Sequence, residues 1–226
     1  MHIGLIGGIG PAATQFYYRN LVAASKAAGK PYQITITHAD NAPLVQNFLA
    51  DRRDEQAQVF ADHLGNLKGA GAKVGAVTAL AAHYCIAETI AASPLPLINA
   101  VDVIRDALTA QGIQRIGVLG AGRVMETGLW GALDAVEQIL PAPEDMAEVG
   151  QTYLDMAQRG QCFDAERALF FEQGQKMMDR GAEAVFLAGT DLFMAFENQD
   201  PGYPVIDGGA VHIAALAQAA EQEAAL

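Results

Sequence analysis

The chain carries an internal repeat, which constrains its fold more than any other feature. Gly71–Ala87, GAKVGAVTALAAHYCIA, has a degenerate second copy at Gly181–Phe193, GAEAVFLAGTDLF. Aligning Gly71 with Gly181, an offset of 110, also aligns Ala79 with Gly189. HIGLIG at His2–Gly7 recurs as RIGVLG at Arg115–Gly120, with Gly4 on Gly117 at an offset of 113. PLIN at Pro96–Asn99 recurs as PVID at Pro204–Asp207, at an offset of 108. Unrelated segments do not yield three such pairs in order, so the chain reads as two homologous halves.

Each half reads as strands alternating with helices, which implies βαβ units and a mostly parallel sheet. Residues 2–7 are strand-like, and GGIGPAAT follows, with Pro11 suited to a first helical turn that runs on to about Ala28. Gln33–Thr37 is β-branched and reads as a second strand. A helical segment is expected over about Asp51–Gly69, a third strand over Val74–Thr78 and a helix from about Leu80 to Ala92. In the second half AGRVMETGLWGAL opens a helix, Met146–Arg180 is helix-rich, and Ala184–Ala188 repeats the third strand. The expected division is residues 1–98 plus 208–226 as one α/β domain and 99–207 as the other.

Composition narrows the partners. Half of the 226 residues are hydrophobic and 18% are charged, enough apolar side chain for a substantial core. A net charge of −12 argues against nucleic acid and anionic membranes, since phosphate binding needs clustered Lys and Arg. No apolar run approaches the ~20 residues of a membrane span. MHIGLIGGIGP lacks the basic start of a signal peptide, so the cytoplasm is the expected compartment. Cys85 and Cys162 make neither a disulfide framework nor a metal site.

In open parallel sheets ligands sit beyond the carboxyl ends of the strands. Two such halves facing each other would gather those ends around one cleft. The residues to watch are Gly7–Thr14, His38–Asn41, Ala79–His83, Gly120–Thr127, Gly189–Asp191 and Asp207–Gly209.

These residues resemble the aspartate/glutamate racemase superfamily. GGIGPAAT looks like that family's GG-x-GP-x-AT opening. Its third strand ends in Cys-Asn-Thr-x-His, against Ala79-Leu80-Ala81-Ala82-His83 here, and its late strand in Gly-Cys-Thr-Glu, against Ala188-Gly189-Thr190-Asp191. METGLW and PVIDGGAVH match later anchors. The resemblance implies two Rossmann-like domains related by a pseudo-twofold axis, an active cleft between them, a homodimer, no cofactor and a small carboxylate or carbonyl ligand. It also implies cofactor-independent inversion at Cα by two thiols, one removing a proton and the other delivering one. Here both thiol positions lack an acid or base, being Ala79 and Gly189, and Leu80 and Ala81 replace the carboxylate-holding Asn-Thr pair. Even one-thiol relatives such as arylmalonate decarboxylases keep a cysteine.

His83 and Asp191 are the candidate replacements for the thiols: His83 because imidazole titrates near neutrality, Asp191 because a carboxylate at a strand end either acts as base or caps a helix. Gly8, His38, Asp40, Leu80, Ala81, Thr127 and Thr190 are the candidate ligand contacts. The bland alternatives are a simple turn at His38–Asp40, a helix cap at Thr127 and structural packing at Asp207 and His212. Gly8–Ala13 also fits a loose G-x-G-x-x-A dinucleotide pattern, but the expected acidic residue is displaced to Asp40, which favours a tight strand-to-helix turn.

Overall fold

The structure, a computed structural model, describes residues 1–223. The chain divides into two compact units: Met1–Asn99 together with the chain from His212 onward, and Ala100–Val211.

The first unit holds β1 (His2–Gly7), α1 (Pro11–Ala28), β2 (Gln33–His38), α2 (Asn41–Leu49), α3 (Arg53–Gly69), β3 (Val74–Val77) and α4 (Ile86–Ala92). The second holds α5 (Ala100–Gln111), β4 (Arg115–Leu119), α6 (Gly122–Glu126), the single turn α7 (Gly128–Gly131) and β5 (Glu137–Ile139). It continues with α8 (Pro143–Arg159), α9 (Asp164–Asp179), β6 (Ala184–Leu187), α10 (Phe193–Phe196) and β7 (Val205–Asp207). α11 (Gly208–Glu223) starts in the second unit and ends in the first.

Each unit has a parallel sheet, in the order β2-β1-β3 and β5-β4-β6-β7. The register of β1 with β3 is that of β4 with β6 once the sequence offsets are applied. Gly4 pairs with Gly75 as Gly117 pairs with Val185. Leu97 bridges Gly75 as Val205 bridges Val185, although the PLIN segment makes only that bridge while PVID forms a full strand. The paired glycines have one cause. A Cβ on Gly4 would lie 3.0 Å from Leu67 Cβ of α3, and one on Gly117 would lie 3.0 Å from Met177 Cβ of α9. The missing side chains let a helix lie close on each sheet.

Several expectations need correction. The helix foreseen from Leu80 is a 3₁₀ turn over Leu80–Cys85, and α4 begins only at Ile86 because Cys85 leaves helical geometry (φ −117°, ψ 29°). The helix-rich section breaks at Gly160, whose left-handed φ of 69° closes α8, so Cys162 lies in the α8–α9 connection rather than in a helix. METGLW does not continue a helix. Gly128, Leu129, Trp130 and Gly131 have φ of 54°, 49°, 58° and 86°, a left-handed turn that costs an ordinary residue about 1–2 kcal/mol. Flanking glycines and the Thr127 hydroxyl, which accepts the Trp130 N–H at 3.3 Å, hold it. α2, α5, β5, α10 and α11 are additional elements that the sequence reading left unassigned.

Candidate active site

In the first unit the turn after β1 is built around Thr14. Its Oγ1 accepts the Gly8 N–H at 3.1 Å and lies 3.1 Å from the Gly10 carbonyl, to which it donates. The Thr78 hydroxyl, which donates to the Ile6 carbonyl at 3.0 Å, is 3.2 Å from Thr14 Oγ1. The Thr78 hydroxyl thus ties the end of β3 to β1, while the Thr14 hydroxyl holds the turn that follows β1. Gly8 is required twice over: its φ is +94°, and a Cβ there would meet Ala39 O and His38 Nδ1, both at 2.5 Å. With the Gly8 amide spent on Thr14, that N–H is not available to cradle a phosphate, which supports the tight-turn reading of the glycine-rich opening. Thr14→Val is expected to leave the Gly8 amide unpaired and lower unfolding free energy by about 1–2 kcal/mol, measured by urea titration.

Gly8 and His38 come together in an open cleft of about 250 Å³, lined also by Pro11, Thr14, Gln15, Tyr18 and Ile36. Asp40 is exposed and caps α2, its Oδ1 accepting the Ala42 N–H at 3.0 Å. That bond gives the carboxylate a structural task of its own.

β3 leads through Ala79 into the 3₁₀ turn. Ala79 and Leu80 are buried and Ala81 is half-buried. His83 is 2% exposed, and because a carbonyl only accepts, Nδ1 carries the proton it donates to Ala79 O at 3.0 Å. Burial pulls the His83 pKa down to about 4, with its backbone hydrogen bonds opposing the shift. The imidazole is therefore neutral at pH 7 and only weakly basic.

Behind it stands His212, which the sequence reading assigned to packing. Its Nε2–H donates to Ile98 O at 2.8 Å, and Nδ1 accepts the Tyr17 hydroxyl at 2.8 Å. The His83 and His212 rings meet edge to face, with centroids 5.9 Å apart. Burial first, and the neighbouring His83 second, pull the His212 pKa down to about 3. Cys85 is fully buried, its Sγ 3.7 Å from Thr89 Oγ1, and burial pushes its pKa up to about 11. A thiol so held keeps its proton.

In the second unit β6 leads into a 3₁₀ turn over Thr190–Leu192. Thr190 and Asp191 are both buried. Asp191 lies against Tyr153 of α8, whose phenol accepts the Asp191 backbone N–H and whose pKa burial and the Asp191 carboxylate raise far above the usual value. Sequence reasoning missed Tyr153. Thr127 is exposed, and its hydroxyl donates to Arg123 O at 2.8 Å while capping the left-handed turn. Asp207 ends β7 and caps α11, with Oδ1 accepting from Gly209 N at 2.8 Å and Ala210 N at 3.1 Å. Burial lifts its pKa to about 6 against the pull of those amides.

The structure thus gathers Ala79, Leu80, Ala81 and His83 in one turn, Gly8 and His38 in one cleft, and Gly189, Thr190 and Asp191 in another turn. Asp40 caps α2, and Thr127 holds the left-handed turn that follows it. Among the described residues no cluster of His, Cys, Asp and Glu is grouped to hold a metal ion, and no helix is long and apolar enough to cross a membrane.

Comparison with known proteins places this arrangement. A family described as Asp/Glu/Hydantoin racemase matches residues 6–216. A crystal structure of a putative Asp/Glu racemase from Yersinia pestis is 27% identical and covers 97% of this chain and 98% of its own, with a TM-score of 0.84. An aspartate racemase homologue from Pyrococcus horikoshii OT3 is 20% identical over 97% of this chain and 99% of its own, at a TM-score of 0.79. An aspartate racemase from Picrophilus torridus is 17% identical over 97% of this chain and 94% of its own, at 0.76.

Proposed function

The chain belongs to the Asp/Glu/Hydantoin racemase family, and we propose that it binds a small carboxylate or carbonyl compound beyond the carboxyl ends of its parallel strands, with cofactor-independent proton-transfer chemistry altered from the two-thiol form. The observation that carries this reading is the pairing of a retained frame with missing reagents. The register of β1 with β3 matches that of β4 with β6 residue for residue, yet the positions two residues past β3 and β6 are Ala79 and Gly189, which carry no titratable proton.

His83 and Asp191 are the groups assigned to proton transfer. With a pKa near 4, His83 is too weak a base to deprotonate Cα of an ordinary amino acid at a useful rate. The substrate class is therefore a carbon already acidified by two flanking carboxyl or carbonyl groups, and the reaction a single proton transfer of isomerase, decarboxylase or lyase type. The reading includes a homodimer, implied by the family resemblance, and a cytoplasmic location, expected from the absence of signal-peptide features in MHIGLIGGIGP.

Deuterium uptake at carbon tests it. Malonate-type acids should exchange above background and aspartate and glutamate should not. His83→Ala and Asp191→Asn should each abolish exchange while the melting transition persists. Full exchange in both variants would remove these residues from the chemistry, and exchange at aspartate Cα would overturn the substrate class.

A second reading rests on the burial of His83 and the engagement of its Nδ1 by Ala79 O: a ligand-binding descendant that performs no reaction. It predicts thermal stabilisation by a small carboxylate with no exchange at all.

A further inference from the structure

Gly189 has extended backbone (φ −131°, ψ 125°), a conformation open to any residue, so its backbone does not explain the glycine. Its surroundings do. A Cβ built there would lie 2.5 Å from Tyr153 Cζ and 2.6 Å from Tyr153 Oη, with Tyr153 Cε2 closer still. The ring cannot simply swing aside. Tyr153 is 5% exposed, and its hydroxyl accepts the Asp191 backbone N–H from the turn that follows Gly189. A side chain at 189 and the phenol at 153 compete for one space, and in this chain the phenol has it.

We infer that the Tyr153 hydroxyl occupies the place a side chain at position 189 would take, and that it serves there as the hydrogen-bond donor to a carboxylate or carbonyl oxygen of the ligand. This rests on the proposal that the chain binds such a compound. A phenol has one proton to donate and lone pairs to accept with. A contact with the Asp191 backbone N–H uses the accepting side of the oxygen and not its proton. Burial and the nearby Asp191 carboxylate keep the phenol protonated, so it is a donor and not a base. The β6 end of the second unit then offers an oxygen-binding group where a proton acceptor would otherwise stand. Inversion of a stereocentre needs a base on one face and an acid on the other, and position 189 itself supplies neither, which leaves Asp191 as the group for proton transfer at this end.

Two measurements test the inference. The first is a packing cycle read by melting temperature. Gly189→Ala should lower it by roughly 3–10 °C when Tyr153 is present, and by far less in a Tyr153→Leu background, where the outer ring atoms and hydroxyl are gone. Tyr153→Ala provides a second background if the leucine repacks. Equal losses with and without the ring would overturn the shared space. The second measurement is malonate binding by isothermal titration calorimetry. Tyr153→Phe removes one oxygen and should weaken malonate at least tenfold, with the melting temperature within a few degrees of the parent. Unchanged affinity in Tyr153→Phe overturns the donor role alone. If the parent protein binds neither malonate nor succinate, the ligand proposal fails and the donor role with it, while the packing cycle still decides the occupancy.

Discussion

Replacing His212 with alanine is expected to lower unfolding free energy by roughly 3–5 kcal/mol. The ring is completely buried, and both of its nitrogens are engaged at 2.8 Å, one by Ile98 O and one by the Tyr17 hydroxyl. Its loss strands a buried phenol and a buried carbonyl, each costing about 1–3 kcal/mol, and leaves a cavity beside Tyr17 and His83. Part of the loss is recoverable: the double variant with Tyr17→Phe removes one stranded group, so it should fall short of the sum of the single variants. Urea titration of the three variants measures this. A loss under about 1 kcal/mol for His212→Ala would mean that the site collapses or hydrates without penalty.

Acid is the second large lever. His83 and His212 are neutral in the folded protein down to about pH 4 and about pH 3, whereas free in the unfolded chain each takes up a proton near pH 6.5. Between those limits the unfolded state binds more protons, so stability is complete above pH 6.5 and falls as the pH drops below it. From pH 7 to pH 5 the two histidines together remove on the order of 4 kcal/mol. Asp207 works in the opposite sense. Its folded pKa near 6 lies above the unfolded value of 3.8, so protonation on acidification favours the folded state and returns about 1 kcal/mol over the same interval. Thermal unfolding across pH 5–7 should therefore show a marked loss towards acid, carried by the unit that contains the histidines. His212→Gln should blunt the slope, and Asp207→Asn should steepen it. A flat profile from pH 7 to 5 would show that both imidazoles charge inside the fold.

The sequence was most legible where the repeat forced residue types at fixed places. Gly4 and Gly117 mark the same helix approach in both units, and the offsets read from them reproduce the strand registers. It was least legible where the determinant is short or distant. Glu137–Ile139 is three residues with two polar members, too brief for any period to register. α2 is nine residues long and carries Pro43 in its first turn, which reads as a breaker. Leu129 and Trp130 look like helix residues, and only their flanking glycines hint at a left-handed turn. Tyr153 looks like any aromatic on the buried side of a helix. Nothing in the spacing of α8 reveals that its ring lies against Gly189, thirty-six residues on. The lone signal was the glycine itself, at a strand end whose counterpart in the other half is Ala79.

α11 has a consequence for the order in which the chain assembles on a ribosome. The second unit is one uninterrupted stretch, Ala100–Val211, and contains every strand of its own sheet. The first unit is sewn from two separate stretches, one before and one after the second unit: Tyr17 and Ile98 both bond the ring of His212. Until His212 leaves the exit tunnel, the N-terminal sheet waits without the imidazole that these two groups bond in the finished fold. The half synthesised second is thus able to close first, and the half synthesised first closes last.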